Sequence, residues 1–307
     1  MAMLVQRGSE TRVALAAHVL VGRSSACTVR LDEPRASAEH ARFEHRQGAW
    51  SVRDLGSRNG TFVNGDRLPR GGSRLLAAGD EVMFGGPEAT WVLSDLSPPV
   101  ALARRLPDGE LLVAADGLLA LPSAEEPRAC LALAEDGRWT VEADGTARLA
   151  VDGEVLSLAG HAFVVHLPTA LPVTVQAEEP ASAHDGFEVG LRVSRDEETV
   201  EVSLRALGQV HVLSPRAHHY TLLTLARFRL RDRDAPGLSE SQRGWVSVDE
   251  LCRMLCVDEM KLNVAIYRIR RDIAARGLPN APQIIERRRG SRQLRLTTER
   301  VSITGLA

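Results

Sequence analysis

The sequence predicts a multidomain chain: an all-β sandwich, a second and shorter β-domain, and a C-terminal α+β domain. Three observations carry this. Positions 3–93 read as short alternating apolar runs (TRVALAA, CTVRL, AWSVRDL, EVMFG, TWVLSDL) divided by turn residues, and no helical period fits them. Helical patterning takes over only after position 214. Charge is also unevenly placed: positions 214–307 hold 18 basic and 10 acidic residues, a net of +8, although the whole chain of 307 residues stands at -2. The length is enough for two or three ordinary cores.

The first sandwich spans 1–97 and ends at the Ser/Pro punctuation SDLSPP. The second β-patterned stretch, 100–168, repeats it in part. Gly48-Ala-Trp50-Ser-Val52 returns as Gly137-Arg-Trp139-Thr-Val141, and Val63-Asn64-Gly65 with Leu68 returns as Val151-Asp152-Gly153 with Leu156. Unrelated β-domains with common turn chemistry would give the same letters. Residues 169–186, rich in Pro, Ala and acidic groups, suit a flexible acidic linker. Its carboxylates Glu178 and Glu179, with Glu197 and Glu198 beyond it, are placed to mask a basic surface.

The C-terminal domain, 187–307, begins with strand-like segments at 187–194 and 199–204. Ser214-Pro215 offers a cap and a first-turn proline for a helix reaching about position 230. Ser247-Val-Asp-Glu250 fits a capping box, and a third helix is expected over 259–276, ending at Gly277-Leu-Pro279. Apolar runs at 283–286 and 293–297 flank an Arg-rich turn, which gives a closing hairpin.

No nucleophile is paired with a base, no phosphate-cradling loop precedes a helix, and no metal-spaced cluster occurs, so no catalytic residue, cofactor or metal is expected. Cys27, Cys130, Cys252 and Cys256 lie in apolar settings and read as buried thiols of a reducing compartment. There is no apolar run of signal-peptide or membrane-span length. A cytoplasmic protein without a membrane partner is the expectation. Arg makes up nearly all the basic residues, a bias that a GC-rich genome also produces, so Arg abundance alone carries little.

The densest motifs lie between Val21 and Gly65: Gly22-Arg23, Arg35-Ala-Ser37-Ala-Glu-His40, Asp54-Leu-Gly-Ser57-Arg-Asn59-Gly60-Thr61 and Val63-Asn64-Gly65. In order and spacing they resemble forkhead-associated (FHA) domains, β-sandwiches that read phosphothreonine on partner proteins. A phosphate with nearly two negative charges needs rigid, convergent donors, and loops at one end of a sandwich supply them. Arg23 offers a guanidinium fork and Ser37 a hydroxyl. Asn59 suits the peptide main chain, Arg58 a second cation, and Asn64 the segment after the phosphoresidue. The resemblance makes His40 a buttress and Gly22, Gly60, Thr61 and Gly65 formers of the loops. One departure is Ala38, where the family pattern has Arg after the serine. In the 100–168 copy, Asp144 and Asp152 stand where asparagines are wanted, so no phosphate site is expected there.

The order of strands, three helices and a hairpin over about 187–303 resembles the winged-helix output domain of bacterial response regulators. On the third helix Leu262, Ile266, Ile269 and Ile273 form one stripe, the core side. Val264, Tyr267, Arg268 and Arg271 fall opposite, flanked by Lys261 and Arg270. The resemblance makes this face a reader of the major groove, with Arg287, Arg288, Arg289 and Arg292 of the wing on phosphates. Trp245 and Tyr220 read as core anchors. Together the resemblances imply a signalling adaptor and transcription regulator. It would dock a phosphothreonine-containing protein, a Ser/Thr kinase or its substrate, and bind double-stranded DNA. The alternative is a phospho-dependent scaffold without DNA contact. A homodimer fits a winged-helix regulator, and no dimer surface is readable.

Overall fold

A computed structural model describes residues 2–46, 48–134, 136–168, 188–206, 208–233, 235–278 and 280–306. The expected acidic linker, 169–186, lies outside the described residues. The chain divides into two compact units, 1–102 with 165–171, and 103–164 with 172–307.

The first unit is a sandwich of two sheets. One runs in the order Arg12–Ala14, Met3–Gln6, Thr90–Asp95, Glu81–Phe84, Thr61–Val63, Asp66–Arg67, and the other in the order Val29–Arg30, His18–Gly22, Ala41–Arg46, Ala49–Asp54, Ser73–Leu75. Period-two patterning sets the core. In the strand Ala49–Asp54 the inward positions are Trp50, Val52 and Asp54, and they are buried with Val19, Val21, Phe43, Val63, Val82, Phe84 and Leu93. The last inward position of that strand is therefore a carboxylate, and it organises the loops described below.

In the second unit a four-stranded antiparallel meander runs through Leu118–Leu121, Ala129–Leu133, Trp139–Ala143 and Thr146–Leu149. The hairpin Val155–Leu158 and His161–His166 follows along the chain, its last two residues belonging to the first unit. Of the repeated letters, Gly65 and Gly153 both sit at left-handed φ, +86° and +78°, but Asn64 is left-handed where Asp152 is not, and Val63 is buried in a strand where Val151 is exposed outside one.

The C-terminal part opens with a sheet ordered Gln209–Leu213, Val200–Ala206, Glu188–Val193, Val301–Gly305, the last pair parallel. Three helices follow: α1 (His219–Arg233), α2 (Val248–Leu255) and α3 (Glu259–Ala274). The hairpin Ile285–Arg287 with Gln293–Leu296 pairs with the short strand Val246–Ser247. The first helix starts later than Ser214-Pro215 suggests, because the strand continues to Leu213 and three tight turns, the first from His219 N to Arg216 O, intervene. The cap expected at Ser247 forms, and α3 is capped by Asp258. Ser247 Oγ accepts from Glu250 N at 3.1 Å, and Asp258 Oδ1 from Lys261 N at 2.8 Å.

One core joins these elements, including Leu222, Leu223, Val248, Leu251, Leu262, Ile266, Ile269, Ile273, Leu294 and Leu296. Tyr220 packs against its edge and donates its hydroxyl to Glu197 at 3.1 Å. Trp245 lies only partly buried under the guanidinium groups of Arg295 and Arg288. Of the cysteines, Cys27 and Cys130 are buried, but Cys252 is half-buried and Cys256 exposed, because the latter caps α2 in the left-handed conformation. Among the described residues, no helix is long and apolar enough to cross a membrane.

Candidate functional site

Three loops of the first unit meet around two buried side chains, Asp54 and His40. Asp54 Oδ1 accepts backbone N–H bonds from Gly56, Ser57 and Gly71, and Oδ2 accepts the hydroxyls of Ser57 at 2.5 Å and Thr61 at 2.8 Å. Burial opposes its charge, but those donors outweigh burial and hold the carboxyl below its ordinary value. The Ser57 hydroxyl in turn accepts from Gly60 N at 3.0 Å, which closes the 54–61 turn.

His40 ties the 35–37 loop to that turn. Its Nδ1 accepts from Ser37 N at 3.0 Å, so its proton sits on Nε2, which donates to Gly60 O at 3.1 Å. Burial pushes the imidazole below its ordinary value of 6.5, so the ring is neutral near pH 7. The sign of the linkage follows. Below 6.5 the unfolded chain takes a proton that the folded ring refuses, so this stabilisation is complete above that pH and lost as pH falls. Stability of the first unit is expected to drop between pH 7 and about pH 5, with a shallower slope in His40→Asn, measured by denaturant unfolding across a pH series.

The expected phosphate ligands stand on this frame. Arg23 follows Gly22, whose missing side chain matters: a Cβ there would lie 2.2 Å from Ala38 O. Gly22→Ala is accordingly expected to cost about 1–3 kcal/mol, read as a lowered thermal midpoint. Arg23 N donates to Ser37 O at 3.0 Å and its Nε to Ala36 O at 2.6 Å. The second bond fixes the exposed guanidinium while leaving its two terminal nitrogens without a partner among the described residues. Ser37 Oγ accepts from Arg58 N at 3.1 Å, which leaves its proton available to an outside acceptor. Arg58 and Asn59 are exposed, and Asn59 Nδ2 donates to Arg35 O at 2.7 Å, tying the 35–37 loop to the 58–60 turn.

Asn64 differs from the rest. Its Nδ2 donates to Asp80 at 2.8 Å and its Oδ1 accepts from Glu81 N at 2.9 Å, so both ends of the amide are engaged in holding the next turn. Asp54 and Ser57 have frame-building roles that the motif alone does not assign. The readable signal was an Asp closing a strand and followed by Gly and Ser, the pattern of a side chain that captures backbone N–H groups ahead of it. Arg23, Arg35, Arg58, Arg67 and Arg70 are all exposed in this unit, against a buried Asp54.

The residues expected to meet DNA divide into two sets. Lys261, Arg268, Arg271, Arg288 and Arg289 are exposed, and Val264 is partly so. Tyr267, expected on an open face, is buried against Leu118, Ala120, Cys130 and Ala132 of the meander. Arg270 and Arg287 are also buried, 1% and 6% exposed, where Arg270 bonds Glu142 at 3.0 and 2.7 Å and Arg287 bonds it at 2.9 Å. Arg292 pairs with Glu259 at 2.7 Å and donates to Asp144 O at 2.8 Å. The meander covers this side of α3, which a helical wheel for one domain cannot anticipate. Glu197 pairs with Arg227 on α1 at 2.7 Å rather than with the wing.

The sandwich and its loop frame define an FHA domain, and the FHA family model matches residues 19–85. Among curated proteins, the chain is similar to the oxoglutarate dehydrogenase inhibitor of Corynebacterium diphtheriae, 44% identical over 64 residues, 21% of this chain and 43% of that protein. It is also similar to the glycogen accumulation regulator GarA of Mycolicibacterium smegmatis, 41% identical over 64 residues, 21% of this chain and 39% of that protein. The chain thus spans about two fifths of the length of these relatives. Among solved structures it resembles an FHA domain of an Arabidopsis thaliana protein, with 28% identity, TM-score 0.28, and coverage of 32% of this chain and 87% of that one. It also resembles Mycobacterium tuberculosis EmbR in complex with a low-affinity phosphopeptide, with 24% identity, TM-score 0.28, and coverage of 30% and 24%.

Proposed function

We propose that the chain is a non-catalytic signalling adaptor whose FHA domain binds a phosphothreonine-containing segment of another protein, a Ser/Thr kinase or a kinase substrate. The observation that carries this is the pairing of Arg23 and Ser37. One guanidinium is braced by Ala36 O at 2.6 Å and one hydroxyl is braced by Arg58 N at 3.1 Å, and both keep donor capacity for phosphate oxygens. Arg58 and Arg35 supply the positive field that Ala38 omits. The test is fluorescence anisotropy of the full chain with a degenerate phosphothreonine peptide library and matched unphosphorylated peptides. Binding without phospho-dependence would make the fold a scaffold.

A second reading, a winged-helix domain that regulates transcription through double-stranded DNA, is favoured by the exposed Lys261, Arg268, Arg271, Arg288 and Arg289 beside α3. It requires a groove contact that Tyr267 and Arg287 do not enter while the meander covers them. We favour the adaptor reading for that reason. The comparison is a duplex-DNA titration over a salt series, in which phosphate contacts give a steep loss of affinity with salt.

A further inference from the structure

The second unit contains a cavity of about 620 Å³ between the meander and the closing hairpin. That volume falls within the range of small-molecule sites. Its lining is apolar at Ala132, Leu133, Ala134 and Pro282 and has a charged wall in which Arg270, beside Ile285, and Arg287 flank Glu142. Arg288 and Arg289, both exposed, stand at its rim.

The charges in this wall do not balance. Glu142 is one carboxylate shared by two guanidinium groups, at 2.7 Å from Arg270 and 2.9 Å from Arg287, and all three side chains are at most 9% exposed. The cluster therefore keeps one net positive charge out of water, an arrangement costly unless a further anion compensates it. Hydrogen bonding is incomplete too. Arg270 uses Nη1 and Nη2 on Glu142 and Ile285 O, and Arg287 uses Nε on Glu142 and Nη2 on Asn263. Arg287 Nη1 is buried with no hydrogen-bond partner among the described residues, whereas Arg270 also lies against the Cys130 thiol, and the amide oxygen Gln283 Oε1 of the same lining lacks a donor. An unsatisfied donor such as Arg287 Nη1 is rare in folded proteins and calls for an acceptor, while Gln283 Oε1 suits a donor on the apolar body of an occupant. The two other acids of the lining do not supply it, because Asp136 pairs with Arg138 and Glu286 with Arg295 at 2.7 Å.

We propose that this cavity is a binding site for a small organic anion, a carboxylate or phosphate joined to a compact apolar body. The anionic group meets Arg287 and the rim arginines, and the apolar body lies against Ala134, Leu133 and Pro282. The site is separate from the phosphothreonine reading and uses none of its residues. It touches α3 through Arg270, so an occupant would strengthen the hold of the meander on that helix.

The test is isothermal titration of the full chain with phenyl phosphate and, separately, inorganic phosphate, all in an Arg23→Ala background so that any phosphate binding at the FHA loops is weakened. The expected result is saturable one-to-one binding of phenyl phosphate, with inorganic phosphate at least about tenfold weaker for lack of the apolar contact. Two variants at accessible positions keep the fold intact. Arg288→Ala with Arg289→Ala removes the rim charge, and Ala134→Phe fills the cavity from its half-buried edge; each is expected to weaken phenyl phosphate about tenfold or more, with an unchanged melting temperature. No binding, equal affinity for the two probes, or binding that neither variant alters would overturn the proposal.

Discussion

Arg23→Ala is expected to reduce the affinity of the full chain for a phosphothreonine peptide by roughly 10- to 100-fold, since one charge-assisted contact to phosphate is worth about 1.5–3 kcal/mol. The fold should survive, because the side chain is exposed and the Arg23 N–H bond to Ser37 O is a backbone bond that the substitution keeps. The lost brace to Ala36 O is a bond of the removed guanidinium itself. Arg23→Lys should recover only part of the affinity, because a point charge has neither the Nε brace nor two parallel donors. Arg58→Ala, acting at the exposed rim with its backbone N–H still on Ser37, should cost less, within about tenfold. Unphosphorylated peptide should show no difference among the three. Peptide anisotropy with all three variants separates a phosphate contact from loss of folding: a misfolded domain loses all peptide binding alike, whereas the predicted series is graded by donor geometry.

The legibility of the FHA region and of the C-terminal region differed for a physical reason. The loops of the proposed phosphate site are local in sequence. Gly22-Arg23, Ser37 to His40 and Asp54 to Thr61 each act within a few residues, so their letters carry the geometry, down to a glycine that a Cβ would drive to 2.2 Å from Ala38 O. What local reading lacked was the division of labour, with Asp54 as the acceptor for five donors and Asn64 held at both ends by Asp80 and Glu81. The face of α3 is set by residues more than a hundred positions away. Arg270 reads as one more exposed cation until the meander brings Glu142 to 2.7 Å. The helix boundary at His219 failed for a related reason: Ser214-Pro215 has the chemistry of a helix start, but the preceding strand keeps pairing through Leu213 with Val202.

Glu142 is the position where a single substitution should do the most damage in the second unit. Burial works against its charge, yet Arg270 and Arg287 beside it more than offset burial and hold the carboxyl below its ordinary range. Removing that carboxylate strands two guanidinium groups that are 1% and 6% exposed. Glu142→Ala is therefore expected to cost about 3–5 kcal/mol, the usual penalty for an uncompensated buried charge. Glu142→Gln, which still offers one acceptor, should fall between Ala and the native residue. Replacing all three partners by apolar groups of similar volume, Glu142→Leu with Arg270→Met and Arg287→Met, should recover most of the loss, because no charge is then left out of water. Chemical unfolding of the four proteins decides between this ion cluster and simple packing: if the triple variant were as unstable as Glu142→Ala, the cost would lie in lost contact area, and the charge argument for this cluster, including the unbalanced positive charge beside the cavity, would fail with it.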